Sequence, residues 1–261
     1  MIIKFHKYQG TGNDFVMINN LSGNYDNLSI AQICQICDRR FGIGADGLIK
    51  INNHPTLDFE VDYYNADGSK SFCGNGARCA VMFAKSLGLS INSTNFLGID
   101  GQHNAILDEN DLVHLEMNDV QGIEILEDAY VLHTGSPHYV AFNKDLSHEN
   151  IVSIGKEIRY SDLYRAQGIN VNLMQVLEKN LISIATYERG VEDETLSCGT
   201  GATACAMVYA FANKLEGKQL IEVKVKGGNL KVSFIASLDG EFTDVRLIGP
   251  ANFVYQGEVN A

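Results

Sequence analysis

No apolar run in this chain approaches the length of about 18 residues that a membrane-spanning helix needs. The start, Met1-Ile2-Ile3-Lys4-Phe5-His6-Lys7, lacks the apolar centre of a secretory signal. Both absences predict a soluble, cytoplasmic protein with no membrane partner. Positive charge is scarce as well: 20 Lys and Arg stand against 32 Asp and Glu, a formal net charge of −12. Without a basic stripe to meet phosphate backbones, nucleic acid is not an expected partner. The richest basic stretch, residues 214–231, also carries Glu216 and Glu222 and reads as solvated surface. A second C-x-x-C is missing too. Cys34-Gln35-Ile36-Cys37 has no companion pair at zinc-ligand spacing, and no metal is expected. Ile30, Ile33, Cys34 and Cys37 would trace one face of a helix around residues 28–40, so the pair reads as core.

What is present is enough apolar material, 45% of 261 residues, for one large domain or two of ordinary size. Two stretches stand out. Cys73-Gly74-Asn75-Gly76-Ala77-Arg78-Cys79 precedes an apolar run to Leu87, and Cys198-Gly199-Thr200-Gly201-Ala202-Thr203 precedes another from Ala204 to Ala212. A cysteine at a helix entrance faces unpaired backbone N–H groups and the positive end of the helix dipole. Both favour thiolate, below the ordinary thiol pKa of about 8.5. The glycines let backbone N–H groups approach a carboxylate without a Cβ in the way. One such turn alone reads as a tight loop with a buried, inert cysteine. Two in equivalent places suggest half-sites facing each other across a cleft.

Along the chain, alternation predicts strands at Ile2–Tyr8 and Phe15–Ile18 around a Gly10–Asp14 turn, then Leu48–Ile51 and Phe59–Tyr64. Gly42-Ile43-Gly44-Ala45-Asp46-Gly47 spells G-x-G-x-x-G, but it follows a helix and opens a strand, the reverse of a dinucleotide fingerprint. It reads as a strand-entry loop. Short strands follow at residues 92–97, 101–107 and 112–117, and the pattern then restarts: strands at 129–133 and 138–142, a helix at 150–158, strands at 168–176 and 183–187. Strands close the chain from Gln219 to Tyr255. The expected fold is α/β of the α+β kind: two pseudo-repeated domains, 1–117 (with 252–261 returning to it) and 118–251. Each would be a largely antiparallel sheet wrapped around a central helix.

Two thiols could bind metal, form a redox disulfide, or carry out two-base proton transfer, in which a thiolate takes a proton from carbon and the opposite thiol delivers one. Two isolated cysteines make a poor metal cage. Proton transfer needs one sulfur ionised and one protonated, titrating as a coupled pair, and a substrate carbon acidified by a carboxylate that the two helix entrances would hold.

At this point the residues resemble the diaminopimelate epimerase family of cofactor-independent amino-acid epimerases. The likeness runs through Gly10-Thr11-Gly12-Asn13-Asp14-Phe15, Asn65-Ala66-Asp67-Gly68-Ser69, the two Cys turns, Gly135-Ser136-Pro137-His138, Asn170-Val171-Asn172 and Glu188-Arg189-Gly190. The resemblance implies an active site between two similar domains. It implies interconversion of LL- and meso-2,6-diaminopimelate, in lysine and peptidoglycan precursor synthesis, without a cofactor. Cys73 and Cys198 would be the acid–base pair. Gly74, Asn75, Gly199 and Thr200 would hold the reacting carboxylate. His138 and Glu188 would tune the thiols, and Asn13, Asn65, Asn170, Glu188 and Arg189 would recognise the substrate, with arginine suited to the distal carboxylate. Two departures stand out: many relatives carry Asn where this chain has Ser136, and some carry Gln where it has Gly47. The first leaves open a related racemase of another amino acid. A homodimer is the oligomeric expectation, which the sequence itself does not decide.

Overall fold

The first hairpin shows how local chemistry sets the architecture. In the computed structural model, which describes residues 1–89 and 92–260, β1 (Ile2–Gly10) and β2 (Asn13–Asn20) pair antiparallel with Gly10 opposite Asn13. Thr11 and Gly12 alone make the turn, at φ of 49° and 94°, the left-handed conformation that suits the twist of a two-residue hairpin. Asn13 therefore opens β2 instead of sitting at the loop tip.

Helix α1 (Ile30–Cys37) follows, its start fixed by a capping box in which Ser29 and Gln32 satisfy each other's backbone N–H groups. It ends earlier than the span of 28–40 expected from periodicity. The Asp38 carboxylate accepts from the Arg40 and Phe41 amides at 2.7 Å each, a local turn that competes with the helix. The buried face is Ile33, Ile36 and Cys37, whereas Ile30, expected on it, is 50% exposed in the first turn. Then come β3 (Gly47–Asn52), β4 (Phe59–Asn65), α2 (Gly74–Ser86), β5 (Ser93–Gly98), β6 (Gly101–Leu107) and β7 (Val113–Glu116).

The second series runs through β8 (Val120–Gln121), β9 (Glu124–Ile125), β10 (Tyr130–His133), β11 (Pro137–Phe142), α3 (Ile151–Arg159), β12 (Asn170–Glu178) and β13 (Leu181–Glu188). It continues with β14 (Asp193–Glu194), α4 (Gly199–Ala212), β15 (Gly217–Val225), β16 (Gly228–Ala236) and β17 (Glu241–Gly249). Finally β18 (Asn252–Asn260) pairs antiparallel with β1, from Asn252 opposite Gln9 to Asn260 opposite Ile2. The chain divides into Met1–Leu115 with Gly249–Ala261, and Glu116–Ile248.

The two units repeat one plan: hairpin, helix, hairpin, helix, hairpin. Strands inside each hairpin are antiparallel, but each helix carries the chain to a parallel neighbour. The parallel pairs are β2 with β3 across α1, β4 with β5 across α2, β11 with β12 across α3, and β13 with β15 across α4. The sheets are thus more mixed than expected, because a helical crossover returns the chain to the end from which it left.

Helices cover both faces of these strands. In the first unit Val16 and Ile18 pack with Ile33, Ile36 and Cys37 of α1, while the alternate residue Phe15 and Ile49 of β3 lie beneath Gly76 of α2. In the second, Val171, Leu173 and Tyr187 pack under α3, while Val140, Met174 and Ile184 pack under α4. Helix α4 is buried from Gly201 to Ala210, as a helix apolar all round must be. It is the central helix of its unit, and α2, buried from Asn75 to Val81, is its counterpart.

Candidate active site

Each Cys turn ends a strand-to-helix connection. Cys198 is the N-cap of α4, in extended conformation (φ −115°, ψ 110°), and its side chain does not cap the helix. Cys73 occupies the same place on α2 (φ −134°, ψ 115°), again without a side-chain cap. Both thiols therefore stand at the positive end of a helix dipole.

From Cys198 a series of neutral polar groups leads back into the sheet. Its Sγ lies 3.4 Å from Thr200 Oγ1, which lies 2.9 Å from His138 Nε2. On the other side of the ring, Asn172 Nδ2 is 3.0 Å from His138 Nδ1. His138, Asn172 and Thr186 share one sheet face because β11, β12 and β13 run side by side, with His138 level with Asn170 and Asn172 level with Thr186. His138 is wholly buried; that desolvation, with the nearby charges of His133 and Arg189, pushes its pKa down to about 3. The imidazole is neutral at physiological pH.

The residues of this unit expected to recognise substrate are joined. Asn170 Nδ2 donates to Ser136 Oγ at 2.8 Å and to the Pro137 carbonyl at 3.2 Å, and its Oδ1 accepts from the Arg189 amide at 2.8 Å. Arg189 donates to the Gln167 carbonyl at 2.9 Å and lies 3.5 Å from Ser136 Oγ. Ser136 thus stands between Asn170 and Arg189. Glu188 ends β13 on the face of Thr186, two residues along the strand.

The first unit is built on charge. Asp14 is paired with buried Lys7 at 2.8 Å and with Arg39 at 2.6 Å, and Arg39 reaches Asp46 at 2.7 Å. Burial opposes ionisation of Asp14, but the hydrogen bonds and charges of Arg39 and Lys7 prevail and hold it at about 2. Asp46 accepts from Asn13 Nδ2 at 2.8 Å, which turns Asn13 Oδ1 toward the amide nitrogen of buried Asn75. A carboxylate thereby orients both asparagines. Asn65 is occupied locally: Tyr63 donates to its Oδ1 at 2.8 Å, and its Nδ2 donates to Ser69 at 3.0 Å and Ser71 at 3.1 Å, closing the turn that leads to Cys73. Gly47 makes room for that tyrosine, since a Cβ there would lie 2.4 Å from the Tyr63 ring and 2.5 Å from the Tyr64 carbonyl. Cys73 lines a small recess with Tyr63, Ser71, Phe72, Gly76 and Ile99.

Arg78, on the first turns of α2, is wholly buried. Its guanidinium reaches Thr11 Oγ1 at 3.2 Å and the Gly74 and Pro250 carbonyls at 3.5 Å, and among the described residues no carboxylate forms an ion pair with it. A Cβ at Gly10 would stand 3.1 Å from the Asn75 carbonyl, so β1 passes close over this turn only because residue 10 is glycine.

The other cysteines belong to the core. Burial pushes the Cys37 thiol up to about 12 and raises those of Cys79 and Cys205 as well. All six are free thiols. Among the described residues there is no cluster of three or more His, Cys, Asp or Glu that could hold a metal, and no helix is long and apolar enough to cross a membrane. Four participants escaped the sequence: Asp46, Arg39, Asn172 and Thr186. Only Asn172 carried a signal, a polar residue two places from Asn170 in an otherwise apolar strand.

The diaminopimelate epimerase family model matches this chain at residues 5–121 and again at 130–254. A diaminopimelate epimerase of Flavobacterium psychrophilum is 48% identical over 255 residues, covering 97% of this chain and 99% of that one. Another, from Chlorobaculum tepidum, is 38% identical over 96% of this chain and 98% of its own. The fold is shared with a PhzF-family phenazine biosynthesis protein of Bacillus anthracis (TM-score 0.79, 13% identity, all of both chains). A probable proline racemase of Agrobacterium radiobacter shares it too (TM-score 0.67, 13% identity, 99% of this chain and 93% of that one). Matched in both halves and along nearly its whole length, the chain belongs to the diaminopimelate epimerase family of isomerases.

Proposed function

We propose that this enzyme interconverts LL- and meso-2,6-diaminopimelate by two-base proton transfer at the α-carbon, with Cys73 and Cys198 as the acid–base pair. The observation that carries it is the repetition of one device, a cysteine at the N-cap of the central helix of each unit with its side chain left out of the capping. One sulfur acts as thiolate and removes the α-proton. The opposite thiol delivers a proton to the other face of the same carbon. The pair carries one negative charge in total and titrates as a unit.

Negative charge grows on the α-carboxylate as the proton leaves. The amides of Gly74, Asn75, Gly199 and Thr200, at the two helix entrances, receive it. Asn13, Asn65, Asn170 and Arg189 recognise the rest of the substrate, with the arginine fork on the distal carboxylate. His138 and Glu188 set the protonation of the thiols. In lysine and peptidoglycan precursor synthesis the enzyme works in the cytoplasm, where its free cysteines stay reduced.

The test is turnover of LL-diaminopimelate by purified, reduced protein. Wild type is expected to form the meso isomer without added cofactor, and Cys73→Ala and Cys198→Ala to form none while keeping the wild-type circular dichroism. Activity retained by either variant would refute the two-thiol chemistry. The Ser136–Asn170–Arg189 cluster favours one further comparison, with amino acids that lack a second carboxylate: a chain that racemises those faster is a racemase of another amino acid.

A further inference from the structure

We infer that Asn172 is a positioning residue: it holds the His138 ring with its proton on Nε2, so that a directed hydrogen-bond chain runs from His138 through Thr200 to the Cys198 sulfur. This rests on the reading of Cys198 as an acid–base group.

The direction of every bond follows from groups with only one role. The Tyr139 carbonyl can only accept, and it lies 3.0 Å from Asn172 Nδ2. Asn172 Oδ1 accepts from Thr186 at 2.9 Å, so both ends of the amide are assigned. The same Nδ2 faces His138 Nδ1 at 3.0 Å, which makes Nδ1 an acceptor and leaves the proton of a neutral ring on Nε2. Asn170 Nδ2 lies 3.3 Å from Nε2, but it already donates to Ser136 and Pro137, and two donors do not bond. The acceptor for Nε2–H is Thr200 Oγ1 at 2.9 Å. Having accepted, the hydroxyl turns its own proton toward Cys198 Sγ at 3.4 Å.

Two features hold the arrangement. Asn172 and His138 are both wholly buried, so water does not compete for these groups. The first turn of α4 also sits directly on the amide: a Cβ at Gly201 would come within 2.6 Å of Asn172 Oδ1. The titratable and charged groups facing the chain include His133 and Arg189, whose charges act on the ring, Glu188 on the Thr186 face, and Cys205, on which the charge of Cys198 acts. None of them stands between ring and sulfur in the bonds above. The result is a donor aimed at Cys198 that stabilises its thiolate without an imidazolium partner.

The wild-type protein gives the first test. Long-range proton–nitrogen correlation spectra at pH 7 are expected to show His138 as the Nε2–H tautomer; an Nδ1–H ring would overturn the inference. The second test is the pH dependence of Cys198 alkylation by iodoacetamide, followed by peptide mapping. Thr200→Val is expected to slow alkylation at neutral pH about tenfold and shift the titration upward, with Thr200→Ser restoring it. Asn172→Asp, which can only accept from Nδ1, is expected to reverse the chain, shift Cys198 the same way and lower kcat more than it raises KM. A Cys198 titration unchanged in Thr200→Val would overturn the inference even if turnover fell. The two levels separate cleanly. An Nε2–H ring with a donor-sensitive Cys198, in a protein inactive on diaminopimelate, would sink the reading of function and leave the chain of bonds standing.

Discussion

The two Cys turns share backbone and differ in electrostatics. Position by position, Asn75 of α2 answers to Thr200 of α4, Gly76 to Gly201, and Arg78 to Thr203. Arg78 places a guanidinium against the first turn of its helix; burial lowers its pKa, and the charges of Cys79 and Cys73 oppose that lowering. Thr203, also buried, hydrogen-bonds back to the Gly199 carbonyl at 3.0 Å and contributes no charge. Behind Asn75 stands an ionic cluster of Lys7, Asp14, Arg39 and Asp46; behind Thr200 stand neutral His138, Asn172 and Thr186. The same helix entrance thus stands once beside an ionic cluster and once beside neutral polar groups. If the two thiols act as the proposed acid–base pair, such unlike surroundings would help hold them in different protonation states.

The sharpest break of this comparison is removal of either sulfur. Cys73→Ala and Cys198→Ala should each abolish detectable turnover in the diaminopimelate assay, because inversion needs both bases and a single positioned acid or base is ordinarily worth about 10²–10⁴-fold. Next is the charge that distinguishes the entrances. Arg78→Leu should slow alkylation of Cys73 at neutral pH by about tenfold and leave Cys198 unchanged, with Arg78→Lys recovering part of the loss. Equal slowing of both cysteines would mean general loosening of the fold.

The paired glycines give a smaller effect. A Cβ at Gly201 meets the anchored Asn172 amide at 2.6 Å, whereas one at Gly76 meets the movable Ile49 Cδ1 at 3.1 Å and the Phe15 ring at 3.4 Å. Gly201→Ala should cost about 1–3 kcal/mol, read as a lower Tm, while Gly76→Ala should be near neutral because alanine's helix preference of up to about 1 kcal/mol offsets the crowding.

A further difference is in acid sensitivity. His138 has a folded pKa near 3, below the ordinary 6.5, so the unfolded chain binds more protons between these values and the contribution of His138 falls as pH drops through that window. Asp14, at about 2 against an ordinary 3.8, gives up its contribution only between about pH 4 and 2. Amide exchange should show protection around α4 weakening at a higher pH than protection around β2, and the reverse order would remove the charged-versus-neutral distinction.

Much of this was legible before any coordinates. Cys73 and Cys198 stood out as candidates because the same glycine-rich turn precedes two equivalent apolar runs, and most strands showed their alternation. Strands of two residues, β8, β9 and β14, are too short to show any period. The parallel pairs stayed hidden because alternation fixes which face a residue takes and says nothing of its neighbour. Asn13 and Asn170 were found through a resemblance, but the groups that aim them, Asp46 for one and Ser136 with the Pro137 carbonyl for the other, are contacts over more than 30 residues of sequence. Asn172 could have been suspected from its place beside Asn170. The role of Arg78 could not, since only burial distinguishes it from an ordinary helix-surface arginine.

The account stands on two different sulfurs serving one carbon, and early-time conversion of LL-diaminopimelate in deuterium oxide tests that most directly. Two bases predict meso product carrying one solvent deuterium at the inverted carbon while the remaining substrate stays unlabelled. Product that retains the substrate's own hydrogen would show a single base returning the proton it removed, and would contradict the account.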